Sequence, residues 1–284
     1  MYPFLELFGR QIPMYGLMAC IGALAAGIVG CRLCRKRGLN DNDYIITLLI
    51  AAAGVFVGAS LLYAITNFRY FPLLFKTRSF EEFWNVLTAI FGGMVFYGGL
   101  IGGAVAGLIT VKVKKYPARE FLDISAVIIP FFHAFARVGC FLGGCCYGIE
   151  CEIGFAAHGN PLIQEINDVV RFPVQLLESG MNLVIFAVLL ILYRKSLSGK
   201  FLYGKLIFFY LIMYSAVRFS DEYLRGDSVR GFLFGLSTSQ FISLILIVFS
   251  TLALIILRFR NKRGSDDVPS GEEDPGAETS ESGE

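Results

Sequence analysis

Two runs of four-residue spacing put reactive side chains in line. His133 and Arg137 are four residues apart, and so in turn are Tyr214, Arg218 and Glu222. On a helix, residues at i and i+4 share a face. The first pair would present an imidazole one turn from a guanidinium; the second set would align a phenol, a guanidinium and a carboxylate. Both arginines fall inside long apolar stretches. An arginine at mid-bilayer costs roughly 2.5–3.5 kcal/mol on insertion scales, so each is expected to face a protein cavity or a lipid headgroup. Guanidinium grips phosphate oxygens in a bidentate way, and two of them at headgroup depth suit a lipid phosphate. The plainer readings are arginines that snorkel outward as anchors, a hydrogen-bonded buried histidine, and a bland Arg218–Glu222 surface bridge.

Glycines and cysteines form two further sets. Gly92, Gly93, Gly98, Gly99, Gly102, Gly103 and Gly107 strip one or two helix faces of side chains, which suits close packing of the small-xxx-small type. Gly98 and Gly99 are also candidates to clear room for a lipid tail beside Tyr97. Of seven cysteines, Cys31 and Cys34 form a CxxC without a redox-fold context. Cys140, Cys145, Cys146 and Cys151 cluster in RVGCFLGGCCYGIEC. They admit a tetrahedral metal site, disulfides or small apolar packing, and packing is the default. With only His133 and His158 in the chain, no metal and no cofactor is expected.

The elements that must position these groups are membrane helices. The 284 residues are 55% hydrophobic and 17% charged, against about 25% charged in a soluble domain. A net charge of +2 gives no reason to expect a nucleic-acid partner. A helix needs roughly 20 apolar residues to cross the hydrocarbon core, and seven segments qualify: 14–33, 43–66, 88–111, 121–142, 173–193, 201–219 and 235–257. The predicted fold is therefore all-α and polytopic, with about seven transmembrane helices over residues 1–263. Residues 264–284, acidic and rich in Gly, Ser and Pro, are expected to form a disordered tail. The start of the chain lacks the basic region of a signal peptide, so the first span is expected to be a permanent anchor. Loops after the odd-numbered spans hold fifteen lysines and arginines, while the N-terminal segment and the other loops hold seven. By the positive-inside rule the N-terminus is outside and the C-terminus cytoplasmic. Arg137 then lies about 24 Å beyond Phe121, in the outer third of the membrane.

Six pieces in order, YGLM at Tyr15 to Met18, GGMVFYGGLIG at 92–102, RVGCFLGGCCYG at 137–148, RFPVQLLES at 171–179, YSAVRFSDEYLRGD at 214–227 and GLSTSQFIS at 235–243, make the chain resemble the prolipoprotein diacylglyceryl transferase family over nearly all its membrane region. The resemblance implies seven spans around a lipid-accessible cavity in the bacterial plasma membrane, with the active site toward the extracytoplasmic side. It also implies a reaction: diacylglyceryl moves from phosphatidylglycerol to the lipobox cysteine thiol of a prolipoprotein, forming a thioether and releasing glycerol phosphate. Arg137, Gly139, Gly144 and Gly148 match the family's glycine-and-arginine signature, Arg137 being expected to hold the headgroup. Tyr214, Arg218 and Glu222 match its second stripe, and Tyr15 its first-span tyrosine. Three positions depart from the pattern: Tyr97 stands where members commonly carry histidine, Cys140 in place of an asparagine and Cys145 in place of a glutamate. A thiolate is needed as nucleophile and a fixed positive charge for the leaving group. Arg137 and Arg218 can supply the charge, with Tyr97, His133 or Glu222 as the base. The alternatives are a family paralogue acting on another thiol or another phospholipid, a thiol-redox membrane enzyme built on the four outer cysteines, and a non-catalytic lipid binder. Growth rescue of a transferase-depleted strain separates the first; serine at all four cysteines separates the second.

Overall fold

Long apolar stretches cannot leave backbone groups unpaired in lipid, so they fold as helices. The computed structural model describes residues 2–7, 9–199, 202–227 and 231–266. It opens with an antiparallel hairpin of β1 (Phe4–Leu7) and β2 (Arg10–Pro13), from which Pro13 leads into α1 (Met14–Lys36). There follow α2 (Asp41–Thr66), the short α3 (Phe71–Leu74) and α4 (Phe80–Phe91), α5 (Phe96–Val113), α6 (Ala118–Gly143), β3 (Glu150–Phe155), α7 (Val174–Ser198), α8 (Leu206–Asp221), the two-residue strands β4 (Phe232–Leu233) and β5 (Leu236–Ser237), and α9 (Thr238–Asp266). Among the described residues, six helices are long and apolar enough to cross a membrane: α1, α2, α5, α6, α7 and α9 as far as Phe259. The expected span 201–219 corresponds to α8, which at 16 residues is shorter. The protein is thus a mostly helical, polytopic membrane protein. Residues 267–284, most of the acidic tail, lie outside the described residues.

One predicted span is corrected. The segment 88–111 is not a single helix: α4 stops at Phe91, and α5 starts at Phe96 after an extended Val95. The break is stable because the Val95 N–H is not left unpaired; it donates to the Ala59 carbonyl of α2 at 3.2 Å. Gly93 lies in this break against the Tyr63 ring, not on a helix face.

The helices pack in the order α5, α2, α1, α6, α7, α8, α9, with α8 also touching α6. The α2–α5 seam is glycine against glycine. A Cβ on Gly58 would fall within 3.0 Å of the Gly98 oxygen and the Gly102 Cα, and one on Gly102 within 3.0 Å of Gly58 Cα. Gly54 and Gly58 on α2 thus face Gly98 and Gly102 on α5, the close backbone approach that small residues permit. Room beside Gly98 and Gly99 is taken up by α2, through Leu62 and Val55, rather than left open for a lipid tail. Gly102→Val is expected to force the two helices apart and cost about 1–3 kcal/mol. The check is the thermal midpoint of the detergent-solubilised protein, which should fall relative to Gly143→Ala, where a Cβ meets nothing within 4 Å.

Two polar ends flank the apolar core of Tyr44, Ile124, Val127, Leu189 and Leu206. At one end the fully buried Asp123 accepts from the Gly204 N–H (2.7 Å), the Leu206 N–H (3.0 Å) and Arg37 (3.3 Å), and Arg37 also donates to Ser196 Oγ at 2.9 Å. A buried carboxylate so satisfied ties α1, α6, α7 and α8 together. The other end gathers the N-terminal hairpin, the C-terminus of α6, the start of α7 and the end of α8.

Candidate active site

At that second end, α6 presents His133 and Arg137 on one face, as their spacing requires, and α7 meets them with a carboxylate. Arg137 Nη2 lies 2.8 Å from Glu178 Oε1, and His133 Nε2 lies 3.8 Å from the same oxygen. From α8 the Tyr214 hydroxyl donates to Glu178 Oε1 at 3.5 Å, and its ring sits 5.1 Å from the His133 ring. One turn on, Arg218 Nη1 is 2.9 Å from Glu222 Oε2, while Arg218 Nη2 donates to Ser239 Oγ of α9 at 2.9 Å. Tyr214 and Arg218 share one face of α8, so the His133–Tyr214 ring contact joins the two rows. Arg137, Arg218, His133, Tyr214 and Glu222 are therefore one cluster, in which Glu178 holds Arg137 and accepts from Tyr214.

The site is nearly closed. The Arg137 and Arg218 side chains are 12% exposed, Glu178 3% and Glu222 4%. Charges this buried persist only when paired, and here each guanidinium has its own carboxylate. Arg137 Nε has no hydrogen-bond partner among the described residues. A buried N–H left in this way costs free energy that an incoming oxygen would recover. By contrast, two surface hollows of about 440 and 770 Å³, bordered by Arg32 and Arg194 and by Arg119 and Tyr203, lie at the Asp123 end. They hold none of these groups.

The matched glycines act through the backbone. Gly139 lets α6 approach α1 at Tyr15, where a Cβ would meet the Tyr15 Cα at 3.2 Å. Gly144 takes φ +85° and closes α6 in a Schellman turn: its N–H reaches the Phe141 carbonyl at 3.2 Å, and the Cys145 N–H reaches the Cys140 carbonyl at 3.1 Å. Gly148 passes so close to the Phe172 and Leu224 carbonyls that no side chain fits. Its bridge to Arg225 joins the loop after α6 to the end of α8. In that loop Tyr147 donates to Glu165 at 2.7 Å and carries Arg171 over its ring at 4.6 Å. The hydrogen bond to Glu165, together with burial, holds the Tyr147 phenol above its usual pKa. Tyr15 is half exposed at the start of α1, its backbone against Gly139.

Tyr97 is not brought into the cluster. Its ring packs edge-on against Phe96 at the α5 edge of the bundle, and it has no hydrogen bond to any cluster member among the described residues. Conversely, Glu178 is central and was not among the residues singled out from the sequence, although it lies in RFPVQLLES. The usable signal was the same one that marked the arginines: an ionisable residue inside an apolar span. Of the four cysteines between 140 and 151 only three converge. Cys140, Cys145 and Cys146 have sulfurs within 4.8 Å of one another; Cys151 is on β3, its thiol turned to the Ile153 carbonyl.

A family profile described as prolipoprotein diacylglyceryl transferase matches residues 3–256. A phosphatidylglycerol–prolipoprotein diacylglyceryl transferase of Clostridium tetani is 32% identical over 259 residues, covering 90% of this chain and 98% of that protein. A protein of Clostridium perfringens named phosphatidylglycerol–prolipoprotein diacylglyceryl transferase 2 is 30% identical, covering 91% and 96%. One from Lactobacillus johnsonii with the transferase name is 32% identical, covering 87% of each. With arginines, glycines and helices all in the matched region, the chain belongs to the prolipoprotein diacylglyceryl transferase family.

Proposed function

We propose that the protein transfers the diacylglyceryl group of phosphatidylglycerol to the lipobox cysteine of a prolipoprotein at the extracytoplasmic side of a bacterial plasma membrane. The observation that carries this reading is one buried cluster in which Arg137 pairs with Glu178, Arg218 pairs with Glu222, and the His133 and Tyr214 rings join the two rows. The family membership supplies the reaction. The end of the bundle with Arg37 and Arg119 is the cytoplasmic one, and the N-terminus lies with the arginine cluster on the exported side; the distribution of basic loop residues supports this.

In the proposed chemistry the phosphate of the lipid lies between the two guanidiniums, with Arg137 Nε as an available donor. As the diacylglyceryl carbon–oxygen bond breaks, the departing glycerol phosphate gains negative charge, and fixed guanidiniums stabilise that charge without reorganising. Glu178 orients Arg137, and Glu222 with Ser239 orients Arg218. Tyr15 and the loop glycines hold the rim through which lipid and peptide enter. Incubation of the purified full chain with phosphatidylglycerol and a lipobox peptide is expected to yield a peptide heavier by one diacylglyceryl group. No adduct from folded protein overturns the reading, as does equal modification of a peptide whose cysteine is serine.

A further inference from the structure

The three converging cysteines have a use that packing does not explain. The Schellman turn at Gly144 folds Cys145 back onto Cys140, and Gln175 of α7 clamps the turn by donating to the Cys145 carbonyl at 2.8 Å. Cys146 then adopts φ +55°, a left-handed conformation that non-glycine residues rarely take and that is held where function requires it. The result is three sulfurs within 4.8 Å. Tetrahedral zinc, at about 2.3 Å from each sulfur, needs sulfur pairs about 3.8 Å apart, within reach of small side-chain rotations. Cys140 is buried whereas Cys145 and Cys146 are half-buried, so one side of the triangle is open. The cluster adjoins the active site: Cys140 follows Arg137 by one turn of α6, and Gly139 between them packs against the Tyr15 backbone. Three thiolates on a divalent cation leave one net negative charge. A disulfide fits less well. Adjacent cysteines bridge only with strain, and a bridge from Cys140 to either would strand the third thiol.

We propose that Cys140, Cys145 and Cys146 bind one zinc ion, whose fourth coordination position receives the thiol of the incoming substrate. Zinc sites with three protein ligands and an open position are the catalytic kind, and a thiol that coordinates such an ion is deprotonated outright. The thiol proton goes to solvent. The zinc-bound sulfur forms a bond to the diacylglyceryl carbon, and the bond from that carbon to the phosphate oxygen breaks. Its electron pair leaves with glycerol phosphate, and nothing is oxidised or reduced. This accounts for how a thiolate arises while Tyr97, at the position of the family's usual histidine, stands apart from the cluster. The identity of the fourth ligand rests on the transferase reading; the metal site does not.

The test is elemental analysis of the full chain purified in detergent with reductant, loaded with zinc chloride and desalted. About one zinc per chain is expected for the native protein and for Cys151→Ser, and loss of zinc for Cys140→Ser, Cys145→Ser or Cys146→Ser. Cobalt substituted for zinc in the native protein should show a sulfur-to-cobalt charge-transfer band, which a lipobox peptide intensifies and its serine counterpart does not. Native protein that retains no zinc, or whose three thiols are found bridged, overturns the site. Zinc bound by the three cysteines with a cobalt spectrum indifferent to the peptide overturns the substrate-thiol role and leaves the metal site standing. Zinc bound together with a failure to form any peptide adduct tells against the transferase reading alone.

Discussion

Arg137→Ala and Arg218→Ala are each expected to abolish thioether formation, with a loss of at least about 10²–10³-fold in kcat from the missing charge stabilisation alone. The two are not equivalent. Arg137 is paired with Glu178 at 2.8 Å, and Glu178 is 3% exposed, so removing the arginine strands a buried carboxylate. Breaking a buried pair from one side costs about 3–5 kcal/mol, which threatens folding as well as activity. The double variant Arg137→Ala with Glu178→Ala removes both charges and is expected to fold while staying inactive. Arg218 is also anchored to Ser239 of α9, so its loss should loosen α9 as well. Activity is read from adduct mass and folding from the thermal midpoint in detergent. Undiminished transfer by a well-folded variant of either arginine overturns the proposed roles.

The second large effect is expected at Glu178. Glu178→Gln keeps the shape and can still accept from Arg137, but it removes the charge that holds Arg137 and accepts from Tyr214. A misplaced guanidinium is costly, since displacement by about 1 Å can lower a rate by about 10²-fold. At the same time Arg137 loses its competitor for an anionic headgroup. The expected pattern is a fall in kcat of about 10–100-fold with KM for phosphatidylglycerol unchanged or lower. A purely structural role would lower stability without separating the two constants. A variant with native kcat contradicts the positioning role.

What could be read from the chain was what helical periodicity encodes. Arg137 with His133, and Tyr214 with Arg218 and Glu222, were legible because i and i+4 neighbours must share a face, and the structure joins both rows in one cluster. Glu178 was not, because its partners lie on other helices and local spacing carries no record of which helices meet. The split of 88–111 into α4 and α5 was hidden for a related reason. Hydropathy registers apolar residues but not the carbonyl of Ala59 that makes a break at Val95 tolerable. Gly98 and Gly99 admit close packing or open space equally, and only the structure shows that α2 fills the space. The cysteines were counted as four along the chain; the turn at Gly144 selects three of them.

The proposed chemistry requires both arginines to meet the same lipid phosphate, and a structure of the full chain bound to phosphatidylglycerol tests that most directly. It should place phosphate oxygens within about 3 Å of both the Arg137 and the Arg218 guanidiniums, with the acyl chains leaving toward the membrane. A headgroup held by only one of them, or bound among Arg37 and Arg119 at the opposite end, would contradict it.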